Sequence, residues 1–152
     1  MPLIPRTRDE VRTAIDALSP EVRACLSAGW LELLAKSSPQ DPWVHGFHVM
    51  DKDGLIVGIA SFKGPPTDGV VEIAYAIVPE QQRKGHATQA ARDLVKRAFE
   101  CHEVQMVCAH TLPDGVASQH VLKRVGFRHV GEVNDPDDGW VWRFEIARSV
   151  QL

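Results

Sequence analysis

The stretch "PEQQRKGHATQAAR", residues 79–92, sets two adjacent cations and one glycine between a strand-like run and a helix-like one. A helix start presents backbone N–H groups without intrahelical partners, together with the positive end of the helix dipole. Anions bind at such a start without further machinery. Gly85 lets the backbone come close to a ligand, Arg83 and Lys84 add charge, and the small Ala87 and Thr88 leave the first turn uncrowded. A diphosphate suits this chemistry. So does the plainer reading, an exposed turn with solvated cations, because a single glycine is a weak signal. The spacing is neither the dinucleotide glycine fingerprint nor a phosphate-binding loop ending in Gly-Lys-Ser/Thr.

The run before this hinge, "VVEIAYAIV", holds a second candidate. Alternation puts Val71, Ile73, Tyr75 and Ile77 on one bulky face and Val70, Glu72, Ala74, Ala76 and Val78 on the other. A carboxylate in mid-strand beside two alanines is unusual, because charge is rarely buried without a partner. Beside a cleft, Glu72 could take a proton from an ammonium, directly or through water. The alternative is a partly exposed sheet residue paired with a neighbouring cation.

These residues need elements to hold them. "TRDEVRTAIDALS" and "SPEVRACLSAGWLELLAKS" read as two helices, the second with Ser19 as cap and Pro20 in its first turn. "WVHGFHVMDKDGLIVGIASFKG" reads as two strands around "DKDG", and "VVEIAYAIVP" as a third, ended by Pro79. From Gly85 to Cys101 an apolar stripe of Ala87, Ala90, Ala91, Leu94, Val95, Ala98 and Phe99 predicts a long helix. "VQMVCAH" is a short buried strand, and "GVASQHVLKRV" a helix closed by Gly126, with Phe127 behind it. "FRHVGEV" and "WVWRFEIA" form a hairpin across the turn "NDPDDG". The order is α α β β β α β α β β, with a parallel strand pair across the long helix.

At 152 residues the chain suits one domain over residues 1–152. Its net charge of −3 gives no general drive toward nucleic acid or an anionic membrane, so any basic site must be local. No apolar run is long enough for a membrane span, and the start has no signal-peptide core, so a cytoplasmic protein is expected. Cys25, Cys101 and Cys108 lack paired spacing and are expected as small buried residues, with no disulfide or metal. His45 and His48 would face opposite sides of a strand, which disfavours a shared metal, and His110 could be an auxiliary base. Trp30, Trp43, Trp140 and Trp142 are expected in packing.

Gln82-x-x-Gly85-x-Ala87 matches the pattern Gln/Arg-x-x-Gly-x-Gly/Ala, following the right kind of strand and opening the right kind of helix. With "VEIAYAIVPEQQRKGHATQAARDLVKRAFE" and "AHTLPDGVASQHVLKRVGFRHVGEV", the chain resembles the GNAT N-acetyltransferase superfamily. The likeness covers roughly residues 70–147 and is nearest to the branch of ribosomal-protein N-terminal alanine acetyltransferases. It implies an α/β (α+β) fold: a mixed, mostly antiparallel sheet of six to seven strands with a splayed parallel pair, and helices on both faces. It implies acetyl transfer from acetyl-CoA to a primary amine by direct attack, with no metal, in a monomer or homodimer.

By that resemblance, Gln82 and the amides of Arg83, Lys84, Gly85, His86, Ala87 and Thr88 hold the pyrophosphate, while the backbone of Ile77 and Val78 pairs with the pantetheine arm. Glu72 is the base, and Ser118 hydrogen-bonds the leaving sulfur directly or through water. The helix of Ser118 departs from the family: Leu122 stands where a tyrosine acid is usual, and Gly115 where an asparagine braces the cofactor strand. That departure motivates a second expectation, a non-catalytic acyl-CoA-binding domain.

Overall fold

The computed structural model describes residues 3–136 and 138–149. It runs β1 (Leu3–Pro5), α1 (Arg8–Asp16), α2 (Pro20–Arg23), α3 (Ala28–Lys36), α4 (Pro42–His45), β2 (Phe47–Met50), β3 (Ile56–Phe62), β4 (Val70–Ile77), a 3-10 turn (Pro79–Gln81), α5 (His86–Glu100), β5 (Met106–Thr111), α6 (Val116–Val125), β6 (Arg128–Asp135) and β7 (Gly139–Ala147). The seven strands form one sheet in the order β1-β2-β3-β4-β5-β7-β6. Every neighbouring pair is antiparallel except β4 and β5. The mixed sheet with one parallel pair is the architecture expected from the motifs.

Three elements differ from the sequence reading. Leu3–Pro5 adds an edge strand, paired with β2, that three residues are too few to signal by alternation. The second expected helix is broken into α2 and α3, because Ser27 leaves the helix and caps α3 through the Trp30 N–H at 3.2 Å. Trp43 to His45 form a turn of helix, not strand, with Pro42 in its first turn and Asp41 as cap. His45 therefore does not alternate with His48. It is buried, accepts from the Asp41 N–H at Nδ1 (3.0 Å) and so presents Nε2–H to the Ser37 hydroxyl (2.8 Å). Burial lowers its pKa and keeps it neutral, a packing role. His48 instead meets Glu10 at 2.9 Å.

The core lies between the sheet and α5. Val71, Ile73 and Ile77 of β4 meet Ala90, Ala91, Leu94 and Ala98 of α5, so the bulky strand face and the helical stripe bury each other. Leu122 and Phe127 join this core. Gly126 adopts the expected left-handed cap, φ 115°, and the Phe127 N–H reaches back to the Leu122 carbonyl at 3.0 Å. Trp140 is 62% exposed rather than packed, because it stands where β7 leaves the hairpin turn. Of the cysteines only Cys108 is buried, while Cys25 is exposed and Cys101 half-buried.

Candidate active site

The parallel ladder between β4 and β5 lasts three residue pairs and ends at Glu72 and Cys108. Beyond that pair β4 continues to Ile77 and β5 to Thr111 without pairing, so the sheet forks. On the side of α5 and α6 the fork opens into a cleft of ≈ 750 Å³. One wall is the end of β4 with Gln82, Arg83, Gly85, His86, Ala87 and Thr88. The other is the face of α6 that carries Gly115, Ser118, His120 and Arg124. Every titratable group on these walls other than Tyr75 is basic, although the chain as a whole is acidic.

Gly85 caps α5 with φ 87°, and among the described residues no side chain makes a cap hydrogen bond to the helix start. A Cβ at Gly85 would meet nothing within 4 Å, so the glycine is there for its left-handed backbone and not for space. Arg83 also has positive φ, 66°, an uncommon state for a non-glycine residue. Two left-handed residues in three turn the backbone of this loop into a nest of N–H groups. Gln82 anchors it by donating to the Ile77 carbonyl at 2.9 Å.

Two of the residues expected to hold the cofactor do not line the cleft. Lys84 turns away, donates to Gln81 at 3.1 Å, and lines a separate hollow of ≈ 800 Å³ with Asp51 and Asp53, whose mixed charge suits an anion less well. Val78 turns its N–H to Val57 on the β3 side, and its carbonyl accepts from Gln81, both at 2.9 Å. Hydrogen bonding alternates along an edge, so residues 72, 74, 76 and 78 face β3, and Ile73, Tyr75 and Ile77 turn their backbone toward the fork.

On the opposite sheet face Glu72 does not stand alone. One of its oxygens lies 3.1 Å from Lys63 Nζ and 3.1 Å from His110 Nδ1. The His110 Nε2 lies 3.5 Å from Arg143, which can only donate, so Nε2 accepts and Nδ1–H points at Glu72. Arg143 in turn holds Glu145 at 2.7 Å. Burial works against the Lys63 ammonium, but Glu72 together with more distant carboxylates outweighs it and leaves the lysine pKa raised. Asp135 and Asp138 of the acidic turn add to that field, and Asp137 lies outside the described residues. Beside Glu72, the Cys108 thiol is pushed up to about 11 by burial, so it carries no thiolate at neutral pH.

Facing the cleft, the Tyr75 hydroxyl lies 3.3 Å from the Ser118 hydroxyl. Burial raises the Tyr75 pKa, with the Ser118 hydrogen bond opposing. Leu122 is 1% exposed and belongs to the core, off the cleft wall. At Gly115 a Cβ would sit 3.1 Å from the Leu112 carbonyl. One turn on, the buried Gln119 donates to the Leu112 and Pro113 carbonyls, both at 3.1 Å, and braces the loop into α6. Tyr75, Lys63, Arg143 and Gln119 were not singled out from sequence. Only Tyr75 carried a usable signal, a phenol three residues beyond Glu72 on the other strand face.

Sheet, fork and uncapped helix start describe an acyltransferase-like domain. The chain matches the family described as acetyltransferase (GNAT) domain over residues 2–128, and it belongs to that family. It is 32% identical over 101 residues to an uncharacterized N-acetyltransferase, YjdG, of Bacillus subtilis. That match covers 63% of this chain and 58% of YjdG, so the chain spans little more than half the length of the curated relative. Among solved structures, aminoglycoside acetyltransferase AAC(6')-Ib in complex with coenzyme A and kanamycin is similar at TM-score 0.70 and 20% identity, over 96% of this chain and 94% of that one. A chimera of spermidine N-acetyltransferase SpeG from Vibrio cholerae and hSSAT is similar at TM-score 0.71 and 19% identity, over 97% and 96%. At these identities the likeness is one of fold. Among the described residues no helix is long and apolar enough to cross a membrane, and no group of three or more His, Cys, Asp or Glu could hold a metal ion.

Proposed function

We propose that the protein transfers the acetyl group of acetyl-CoA to a primary amine by direct attack. The observation that carries this reading is the three-pair ladder opening beside an uncapped helix start, in a cleft whose charged wall groups are all basic. The amides of Arg83 and of Gly85 to Thr88 hold the pyrophosphate, with the helix dipole behind them. The pantetheine arm adds as a strand along the fork-facing backbone of Tyr75 and Ile77 rather than Val78. The thioester then lies in the fork, between Glu72 on one face and Tyr75 with Ser118 on the other.

Glu72 serves as general base for the acceptor. Amines are mostly ammonium at neutral pH and must lose a proton before the nitrogen can attack. His110 and Lys63 orient the carboxylate, and an approaching ammonium competes with Lys63 for it. Cys108 takes no part as a nucleophile, because its thiol stays protonated. The acceptor class is a protein N-terminus or a small-molecule amine. The motif likeness to alanine N-terminal acetyltransferases favours testing a peptide with N-terminal alanine, and the neighbours' names add spermidine and kanamycin.

A second reading, an acyl-CoA-binding domain without turnover, draws on the aliphatic Leu122 and on a Glu72 already occupied by Lys63. Thiol release from acetyl-CoA across those three acceptors separates the two. Release together with an acetylated product, detected by mass, supports transfer. A CoA-induced rise in melting temperature with no release on any acceptor supports the second reading.

A further inference from the structure

Glu72 already holds an amine. Lys63 stands opposite it, one step beyond the pair Phe62 and Ile73, with its N–H donating to the Glu72 carbonyl at 2.8 Å. Directly opposed residues on antiparallel strands share a face. The Lys63 stem crosses to the next strand, so that Nζ lies 3.1 Å from Glu72 Oε2. A general base works within about 2.6–3.2 Å of the atom whose proton it takes. Lys63 Nζ meets that distance with no acceptor bound.

The lysine head is free to move, because its side chain is 47% exposed and its four-carbon stem is flexible. Glu72 is the last paired residue of the parallel ladder, so the fork opens beside it. Rotation about the last bonds of the stem carries Nζ from the β3 side of the carboxylate to the fork. His110 bonds the same oxygen and holds Glu72 in place meanwhile. Other lysines are turned elsewhere: Lys36 pairs with Glu32, and Lys84 donates to Gln81. An amine that belongs to the enzyme needs no binding step, and well-oriented intramolecular reactions reach effective molarities of about 10⁵ M or more.

Burial would lower the Lys63 pKa, but the carboxylates around it raise it, so Nζ is an ammonium at neutral pH. An ammonium has no lone pair. Lys63 is therefore a poor target for acetyl-CoA in bulk water and becomes a nucleophile only where Glu72 takes its proton beside a bound thioester.

We infer that Lys63 is a self-acetylation site, modified on Nζ by the acetyl-CoA held in the cleft. The inference rests on the acetyltransferase reading. Glu72 takes one proton from the ammonium, and the freed electron pair forms the N–C bond to the thioester carbonyl carbon. The C–S bond breaks with its electron pair on sulfur. The second proton shed by nitrogen ends on that sulfur, so CoA leaves as the thiol, and Glu72 returns its proton to water. The product is a neutral amide, which no longer pairs with Glu72 and leaves the carboxylate open to an external ammonium.

The test incubates the full chain with acetyl-CoA and no acceptor, and follows acetylation of each lysine by peptide mass mapping. Lys63 should gain an acetyl group well ahead of the exposed Lys36 and Lys123, with a rate constant unchanged on dilution of the protein. Excess CoA should suppress the reaction by competition. Glu72→Gln should slow it about 10²–10⁴-fold, and Gly85→Glu, which cannot hold the donor, should reduce it to the level of the other lysines. Acetylation of Lys63 no faster than of Lys36 and Lys123, in a preparation that acetylates an added amine, overturns the inference and leaves the acetyltransferase reading standing. So does Lys63 acetylation that excess CoA does not suppress, which is chemical, or a rate constant proportional to protein concentration, which is transfer between copies. No acetyl-CoA-induced melting shift in the wild-type protein overturns the acetyltransferase reading itself.

Discussion

The loop at residues 82–88 and the Glu72 fork adjoin the same strand, β4, but they are made of different material. The loop acts through backbone: a left-handed Gly85, a left-handed Arg83 and first-turn amides that no side chain caps. The fork acts through side chains drawn from four strands or their ends: Lys63 after β3, Glu72 on β4, His110 on β5 and Arg143 on β7. Backbone devices are written in consecutive residues. Side-chain constellations are written in residues dozens of positions apart, which only the folded sheet brings together.

Substitutions break the two regions in different ways. The largest effect expected is at the fork. Glu72→Gln keeps the shape and the Lys63 contact but removes the base, so kcat falls about 10²–10⁴-fold while the acetyl-CoA-induced melting shift persists. Parallel turnover and melting curves on one preparation check both halves of that statement.

The next effect concerns stability at the fork. Cys108 rises from its ordinary value of 9.0 to about 11 in the fold, and the Lys63 pKa is raised as well. A group whose folded pKa lies above its unfolded one stabilises fully below the unfolded value, and that stability is lost as pH climbs through the folded value. Melting temperature therefore falls between about pH 9 and 11. Two pKa units at Cys108 correspond to on the order of 2–3 kcal/mol. Cys108→Ala should flatten the fall, and an identical pH slope in the variant would contradict this origin.

Smaller effects belong to the braces. Gln119→Leu removes the side-chain hydrogen bonds to the Leu112 and Pro113 carbonyls, of which Leu112 keeps the Gly115 N–H, and should cost about 1–3 kcal/mol, read from denaturant unfolding. Gln82→Ala removes a single hydrogen bond to Ile77 and should weaken acetyl-CoA binding by roughly fivefold, read by calorimetry, with little change in kcat.

The same contrast explains what could be read in advance. The strand before the hinge, the striped helix after it and the Gly126 cap each follow from local pattern, and all three stand where expected. The break at Ser27, the helical turn at Pro42–His45 and the edge strand Leu3–Pro5 are short elements whose periodicity never accumulates. At the site, the sequence isolated Glu72 as odd but could not supply its partners. It read Leu122 as a missing phenol, while the phenol at Tyr75 reaches Ser118 from a strand 43 residues earlier. It took Val78 as a free strand end, because the backbone bonds to Val57 and Gln81 leave no mark on side-chain pattern.

The central claim is that the Gly85 loop holds acetyl-CoA, and its most direct test is thermal unfolding with and without that compound, in the wild-type protein and in Gly85→Glu. Open space around a Cβ at position 85 lets the variant fold, at a backbone strain of about 1–2 kcal/mol, while its carboxylate repels the pyrophosphate. Acetyl-CoA at about a hundred times its Kd should raise the wild-type melting temperature by roughly 5–10 °C and leave Gly85→Glu unmoved. A wild-type curve that stays in place under millimolar acetyl-CoA, or an equal shift in both proteins, would contradict the claim.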